Sequence, residues 1–295
     1  MEHFLSQYAV PLTSQEVDNQ VRAILQKTSE NFNLQNLVRC FSCLDLTTLN
    51  VNDTSAKVAE LCRKVDNFYY AHLPEVAAIC VYPSLVAEVK LNLHRSKVKI
   101  AAVSGGFPSS QTFLEVKVLE TMLTVEKGAN EIDMVISVGK FLEKNYQTVC
   151  EEIRAMKMAC KNAHLKVILE TGALNSVENI YIASILAIES GADFIKTSTG
   201  KISPAATHEA VFVMANVVRQ YFQRTGKKIG IKPAGGISTS QQAIEYFSIM
   251  KNVLGDQWLD SSLFRIGAST LADNLLTDIH RLKQDSKENS QFFNS

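Results

Sequence analysis

The sequence predicts an α/β fold, a (β/α)8 TIM barrel carrying an extra N-terminal helical segment. Three observations lead there. Eight short apolar runs alternate with longer amphipathic stretches between residue 41 and the C-terminal region. Each run is apolar almost throughout, as expected of parallel strands buried on both faces. Finally, "LDLTTLNVNDTS" follows the first run without the Gly-rich fingerprint that an open doubly wound sheet, the alternative architecture, would carry there.

Taken in order, residues 14–38 read as a helical segment ahead of the first strand, so residues 1–40 form an N-terminal helical extension. The predicted strands are "FSCLDLT" (41–47), "AAICVY" (77–82), "VKIAAVS" (98–104), "EIDMVIS" (131–137), "LKVILET" (165–171), "ADFIKTS" (192–198), "KIGIKPA" (228–234) and "LFRIGAS" (263–269). In "EKGANEID" and "ESGADFIK" a helix ends at Gly and leads into a strand, which is the turn chemistry of αβ loops. The segment 207–225 places Val211, Met214, Val218, Tyr221 and Phe222 at helical spacing, with Thr207 suited to cap its start and Gly226 just past its end. The polar stretch from about 284 to 295, "QDSKENSQFFNS", reads as a flexible tail. No linker or shift in composition divides the chain, so 1–295 is taken as a single domain.

Composition narrows the function classes. The 295 residues are 46% hydrophobic and 20% charged, enough for a large core. Lys+Arg and Asp+Glu stand at 30 each, so no global field recruits nucleic acid or an anionic membrane. "MEHFLSQYAVPL" has no secretory pattern and no apolar stretch approaches the roughly 20 residues of a membrane span, so a soluble, cytoplasmic protein is expected. Six cysteines read as reduced thiols. Cys40 and Cys43 form a lone C-x-x-C without a second ligand pair, so no metal and no cofactor are expected. A homo-oligomeric state is left open by the sequence.

In barrels of this kind the chemistry sits at the C-terminal ends of the strands, which makes polar residues there informative. Asp45 falls near the end of the first strand, Asp133 inside the fourth, Lys196 near the end of the sixth and Lys232 near the end of the seventh. Lys196 or Lys232 alone fits a strand-end lysine reaching for water. As neighbours in one mouth they fit imine chemistry, because an amine attacks a carbonyl only when neutral. Burial and a second ammonium both lower a lysine pKa from its usual ~10.4. Asp133, flanked by isoleucine and methionine, needs a partner and reads either as a structural ion pair or as part of a proton relay with Lys232. Asp45 is read as lining the site or as an ordinary turn residue.

Glycine loops complete the mouth. Gly200 follows the sixth strand, and Gly235 and Gly236 follow the seventh. Ser269 and Thr270 stand where a helix begins after the eighth. Such loops hold phosphate through backbone amides and hydroxyls, with Lys201 placed to add a charge. "SGGFPSS" (104–110) reads as a turn, and Cys80 as a packed small residue.

The motifs "DFIKTSTGK", "KPAGGI", "DLTTL", "NDTS", "AAICVYP", "EIDMVI", "LKVILETG" and "FRIGAST" closely resemble those of the deoxyribose-phosphate aldolases, in order, from about Phe41 to Leu276. The resemblance implies a class I, metal-independent aldolase that reversibly cleaves 2-deoxy-D-ribose 5-phosphate to D-glyceraldehyde 3-phosphate and acetaldehyde in deoxynucleoside breakdown. It implies Lys196 as the imine-forming lysine, Lys232 as the partner that lowers its pKa, and Asp133 as the acid of a relay through water and Lys232. It also implies substrate contact for Asp45, and substrate or phosphate binding for Thr199, Gly200, Lys201, Gly235, Gly236, Ser269 and Thr270. The partner so implied is a small phosphorylated sugar. Two positions depart from the family pattern. Ser238 stands where many members carry a basic residue, which could weaken phosphate affinity. Ala205 stands where relatives commonly have Asn or Gly. The chain also ends "FFNS", without the terminal tyrosine of some bacterial relatives.

Overall fold

A computed structural model describes residues 2–70 and 73–292. Eight parallel strands form the sheet: β1 (Leu44–Thr47), β2 (Ala78–Val81), β3 (Lys99–Ser104), β4 (Glu131–Val135), β5 (His164–Ile168), β6 (Phe194–Lys196), β7 (Gly230–Lys232) and β8 (Ile266–Ala268). Hydrogen bonding runs in sequence order from β1 to β7, and β8 returns to pair with β1. The last seam, between β7 and β8, is closed by isolated parallel bridges, Ile231 to Phe264 and Ala234 to Gly267. The predicted (β/α)8 barrel is the observed one.

Helices α1 (Glu2–Leu5), α2 (Ser14–Leu25) and α3 (Leu34–Ser42) precede β1, and α4 (Ser55–Tyr70) and α5 (Val86–Asn92) follow β1 and β2. After β3 comes α6 (Leu114–Glu126), after β4 come α7 (Val138–Leu142) and α8 (Tyr146–Ala159), and after β5 come α9 (Thr171–Leu174) and α10 (Val177–Glu189). The remaining strands are followed by α11 (His208–Thr225), α12 (Ser240–Leu254) and α13 (Leu271–Phe292). The predicted N-terminal helical segment packs α2 against α11 and α12, and α3 against α12 and α13. Its entry is fixed by a capping box: Thr13 accepts from the Glu16 amide while the Glu16 carboxylate accepts from the Thr13 amide. Thr207 caps α11 and Gly226 ends it in the left-handed region at φ 71°.

Two boundaries differ from the sequence reading. Residues 41–43 belong to the end of α3 and its cap, because Leu37, Cys40 and Phe41 are buried at helical spacing. An apolar run of that length does not by itself distinguish a strand from a buried helical turn. The polar stretch expected to be a flexible tail from 284 continues as helical turns of α13 to Phe292. Residues 293–295 lie outside the described residues.

Barrel closure shapes the floor of the interior. A Cβ at Gly230 would come within 2.1 Å of the Phe194 ring, so β6 and β7 approach each other here only because position 230 has no side chain. The same ring lies 5.9 Å from Lys166 Nζ and 5.6 Å from the Arg265 guanidinium carbon, an aromatic face beneath two cations. Gly230→Ala must displace that ring and is expected to destabilise the fold by about 2–3 kcal/mol. Urea unfolding would test this, and an unchanged midpoint would refute the packing argument.

Candidate active site

Successive inward positions on neighbouring strands bring seven charged side chains together inside the barrel. Glu131 and Asp133, two residues apart on β4, project to one face. Pairing sets Asp133 beside Lys166 of β5, and Lys196 of β6 beside Lys232 of β7. Asp45 on β1 and Arg265, just before β8, complete the set, and all seven are buried.

Asp133 is the hub. Its Oδ2 accepts from Lys196 Nζ at 2.8 Å and from Lys232 Nζ at 2.7 Å, while Oδ1 accepts from Lys166 Nζ at 3.2 Å. Lys232 Nζ also lies 2.5 Å from Asp45 Oδ2, an ion pair without hydrogen-bond alignment. Arg265 donates to Asp45 Oδ1 at 2.7 Å and forks onto Glu131 at 2.7 and 3.0 Å, and Lys166 closes the ring by donating to Glu131.

Four cationic side chains thus face three carboxylates, and the seven do not titrate alike. Burial pushes the Asp133 carboxyl up, but Lys166, Lys196 and Lys232 outweigh it and hold it well below the usual range. Asp45 and Glu131 are held down likewise against burial, Asp45 chiefly by Lys232 and Arg265, Glu131 chiefly by Lys166 and Arg265. Burial lowers Lys232 and Lys166, yet the surrounding carboxylates raise both above the ordinary lysine value. Lys196 goes the other way. Burial lowers it, Asp133 opposes, and the neighbouring Lys232 ammonium adds to the fall. Its ammonium is the easiest of the four to discharge, which leaves the cluster neutral.

Above Lys196 opens a cavity of about 350 Å³, walled by the loops after β1, β6, β7 and β8. Lys196, Thr199, Gly200, Lys201, Gly235, Gly236, Ser269 and Thr270, all expected at the site, line it. Gly235 and Gly236 adopt φ of 91° and 79°, and a Cβ at Gly235 would meet that of Ala205 at 2.6 Å. The 234–236 turn can therefore lie close over the Gly200–Ala205 loop, and among the described residues the Gly235 and Gly236 amides donate to no protein acceptor. Lys201 donates to the carbonyl of Leu49. Ser238 also lines the cavity, but its amide is engaged by Gln242 Oε1 at 2.9 Å.

Three expected residues sit elsewhere than on the wall. Asp133 and Lys232 lie beneath Lys196 in the charged cluster. Asp45, expected on substrate, is a fully buried counter-ion of Lys232 and Arg265 and not a lining residue. Sequence reasoning missed Glu131, Lys166 and Arg265 of the cluster, and Glu170, a buried carboxylate after β5 that accepts from the Thr199 amide and hydroxyl. Lys166 and Arg265 sit inside apolar runs, and the period of two from Asp133 back to Glu131 was the available signal. The lone C-x-x-C is split between α3 and its cap. Both thiols are buried and free, and burial pushes Cys43 up to about 12.

The sequence profile of the DeoC/LacD family aldolases matches residues 40–248. A Caenorhabditis elegans protein provisionally named deoxyribose-phosphate aldolase is 46% identical over 270 residues, covering 88% of this chain and 89% of the relative. The human deoxyribose-phosphate aldolase is 42% identical over 257 residues, covering 83% and 80%. Among solved structures, the tetrameric deoxyribose phosphate aldolase of Aeropyrum pernix superimposes with a TM-score of 0.68 at 25% identity, covering 88% of this chain and 98% of its own.

Lys232→Met removes a positive neighbour and leaves Asp133 Oδ2 to Lys196 alone, so Lys196 should titrate at higher pH than in the wild type. Reductive labelling of Lys196 by a small aldehyde, followed across pH by mass spectrometry, would then shift its rising limb upward. A superimposable curve would rule out Lys232 as a group that holds Lys196 down.

Proposed function

This chain belongs to the DeoC/LacD aldolase family, and we propose that it acts as a Schiff-base deoxyribose-phosphate aldolase whose nucleophile is Lys196. One observation carries the assignment of the nucleophile. Of the three buried lysines on the barrel strands, Lys196 alone lines the cavity, and it alone is held below the ordinary lysine value.

Neutral Lys196 Nζ attacks C1 of open-chain 2-deoxy-D-ribose 5-phosphate, and the carbinolamine hydroxyl takes up a proton and leaves as water, giving the protonated imine. The iminium then draws electrons from the C2–C3 bond as the C3 hydroxyl passes its proton to the relay water described below. D-glyceraldehyde 3-phosphate leaves and an enamine stays on Lys196. Protonation of the enamine at C2 and hydrolysis release acetaldehyde and restore the amine. Asp133 and Lys232, 2.7 Å apart beneath the nucleophile, act with a water as the relay for the C2 proton. Asp45 serves that relay from below as the second counter-ion of Lys232.

At the opposite end of the substrate, the phosphate sits against the Gly235 and Gly236 amides and the Ser269 and Thr270 hydroxyls, where α13 begins. The activity belongs to deoxynucleoside breakdown. Six free cysteines fit a cytoplasmic setting, which cell fractionation would check. No described helix is long and apolar enough to cross a membrane.

A homo-oligomer is the expected assembly, because Phe113, at the N-cap of α6, and Val116, Leu119 and Leu123 on it are exposed at helical spacing. Sedimentation should show Leu119→Glu lighter than wild type, and equal masses would dismiss this surface.

Borohydride reduction in the presence of 2-deoxyribose 5-phosphate should fix an adduct on Lys196. Lys196→Leu should lose the adduct and at least about 10⁴-fold in kcat/KM. An adduct confined to Lys232 would reverse the two lysines, and substrate binding without any adduct would defeat the aldolase mechanism.

A further inference from the structure

Glu170 is a buried carboxylate at the candidate site that the mechanism above leaves unused. It follows β5 with only 5% of its surface exposed, in the left-handed region at φ 57°, ψ 57°. A non-glycine residue is held there only where its surroundings demand it, and such strain gathers at functional positions. The demand is visible on both sides. The Leu169 amide donates to the Lys196 carbonyl and the Thr171 amide to the Thr197 carbonyl, each at 2.9 Å. The backbone of Glu170 is thereby pinned to the strand that carries the nucleophile.

Its side chain engages one residue twice. Oε1 accepts from the Thr199 amide at 3.1 Å and Oε2 from the Thr199 hydroxyl at 2.5 Å. A threonine hydroxyl has one proton and two lone pairs. Glu170 takes the proton. The Lys201 amide, donating at 3.1 Å, takes one lone pair. One lone pair remains, on a side chain that lines the cavity beside Lys196. Thr199 thus meets a ligand as an acceptor and not as a donor, and its own amide is also engaged.

We propose that Glu170 is a positioning residue that fixes Thr199 as the acceptor for a hydroxyl of the substrate's sugar chain, an inference that rests on the aldolase reading. An acceptor cannot serve phosphate oxygens, which themselves accept. Thr199 therefore belongs to recognition of the sugar hydroxyls, while the anion is left to the Gly235 and Gly236 amides, which donate to no protein acceptor among the described residues. This narrows the expectation that Thr199 contributes to substrate or phosphate binding to the sugar chain.

Glu170→Gln reverses the polarity with little change of shape. The amide oxygen still accepts from the Thr199 N–H, but the amide NH2 now donates to the Thr199 hydroxyl and turns its proton toward the cavity. Cleavage of 2-deoxyribose 5-phosphate should fall by roughly 10- to 100-fold in kcat/KM, the loss of one well-placed hydrogen bond facing an unpaired group. Acetaldehyde carries no hydroxyl, so its trapping on Lys196 by borohydride should keep the wild-type rate. Thr199→Val should give the same pattern and serves if Glu170→Gln fails to fold. Unchanged cleavage in either variant overturns the proposal. Equal loss of cleavage and trapping also overturns it, because Glu170 would then act on the imine chemistry. Absence of trapping in the wild type would instead bring down the aldolase reading itself, and this inference with it.

Discussion

Asp133 accepts from the ammonium groups of three different strands, and the interior of the barrel is organised around that sharing. A carboxylate with no contact to water is tolerable only with partners on both oxygens, and each partner brings its own need for compensation. Lys232 leans on Asp45, Asp45 on Arg265, Arg265 on Glu131, and Glu131 on Lys166, which returns to Asp133. The ring is closed, and removing any member leaves a buried charge behind. Lys196 is attached at one point only, to Asp133, with the cavity above it. Its proton is the one the cluster can release most easily.

Such a cluster requires strands that approach closely and hold their register. At the floor this depends on Gly230 making room for Phe194. Near the mouth, a Cβ at Gly267 would come within 2.8 Å of the Ala234 Cβ and 3.1 Å of Lys232 Cε, so β8 can lie against Lys232 only as glycine. The barrel is thus filled by charge in the middle and by an aromatic ring below. Its short strands β6, β7 and β8 hand over quickly to the loops that wall the cavity.

Much of this was legible in the sequence. The eight apolar runs gave the strands, because burial on both faces leaves little room for polar residues. Lys196 and Lys232 stood out as violations of that pattern at the right strand ends, and Asp133 as one inside its run. What stayed hidden were the countercharges. Lys166 and Arg265 are also violations, but they lie deeper in their runs, where a charged residue reads as a strand boundary. Asp45 was visible, yet its direction was not, since whether it faces the cavity or Arg265 depends on barrel closure. Glu170 stands at the C-terminal end of its run, in "LKVILETG", but nothing in the sequence says what its carboxylate meets. Its role comes from a left-handed backbone that brings its carboxylate onto Thr199, and local sequence does not announce that conformation for glutamate.

The position of Asp133 looks at first unhelpful to a nucleophile, since a carboxylate 2.8 Å from Lys196 Nζ raises the pKa that burial and Lys232 lower. In the mechanism proposed above, with Lys196 as nucleophile, the conflict resolves over the course of the reaction. Attack on the carbonyl needs the amine neutral, but cleavage of the C2–C3 bond needs the imine nitrogen positively charged. A fixed carboxylate beside that nitrogen favours the later, charged species, and it is already in place when the charge forms. On that mechanism the surroundings of Lys196 are a compromise between two protonation states. Burial and Lys232 supply the first, Asp133 supplies the second, and a site optimised for the neutral amine alone would be poorer at the bond-breaking step.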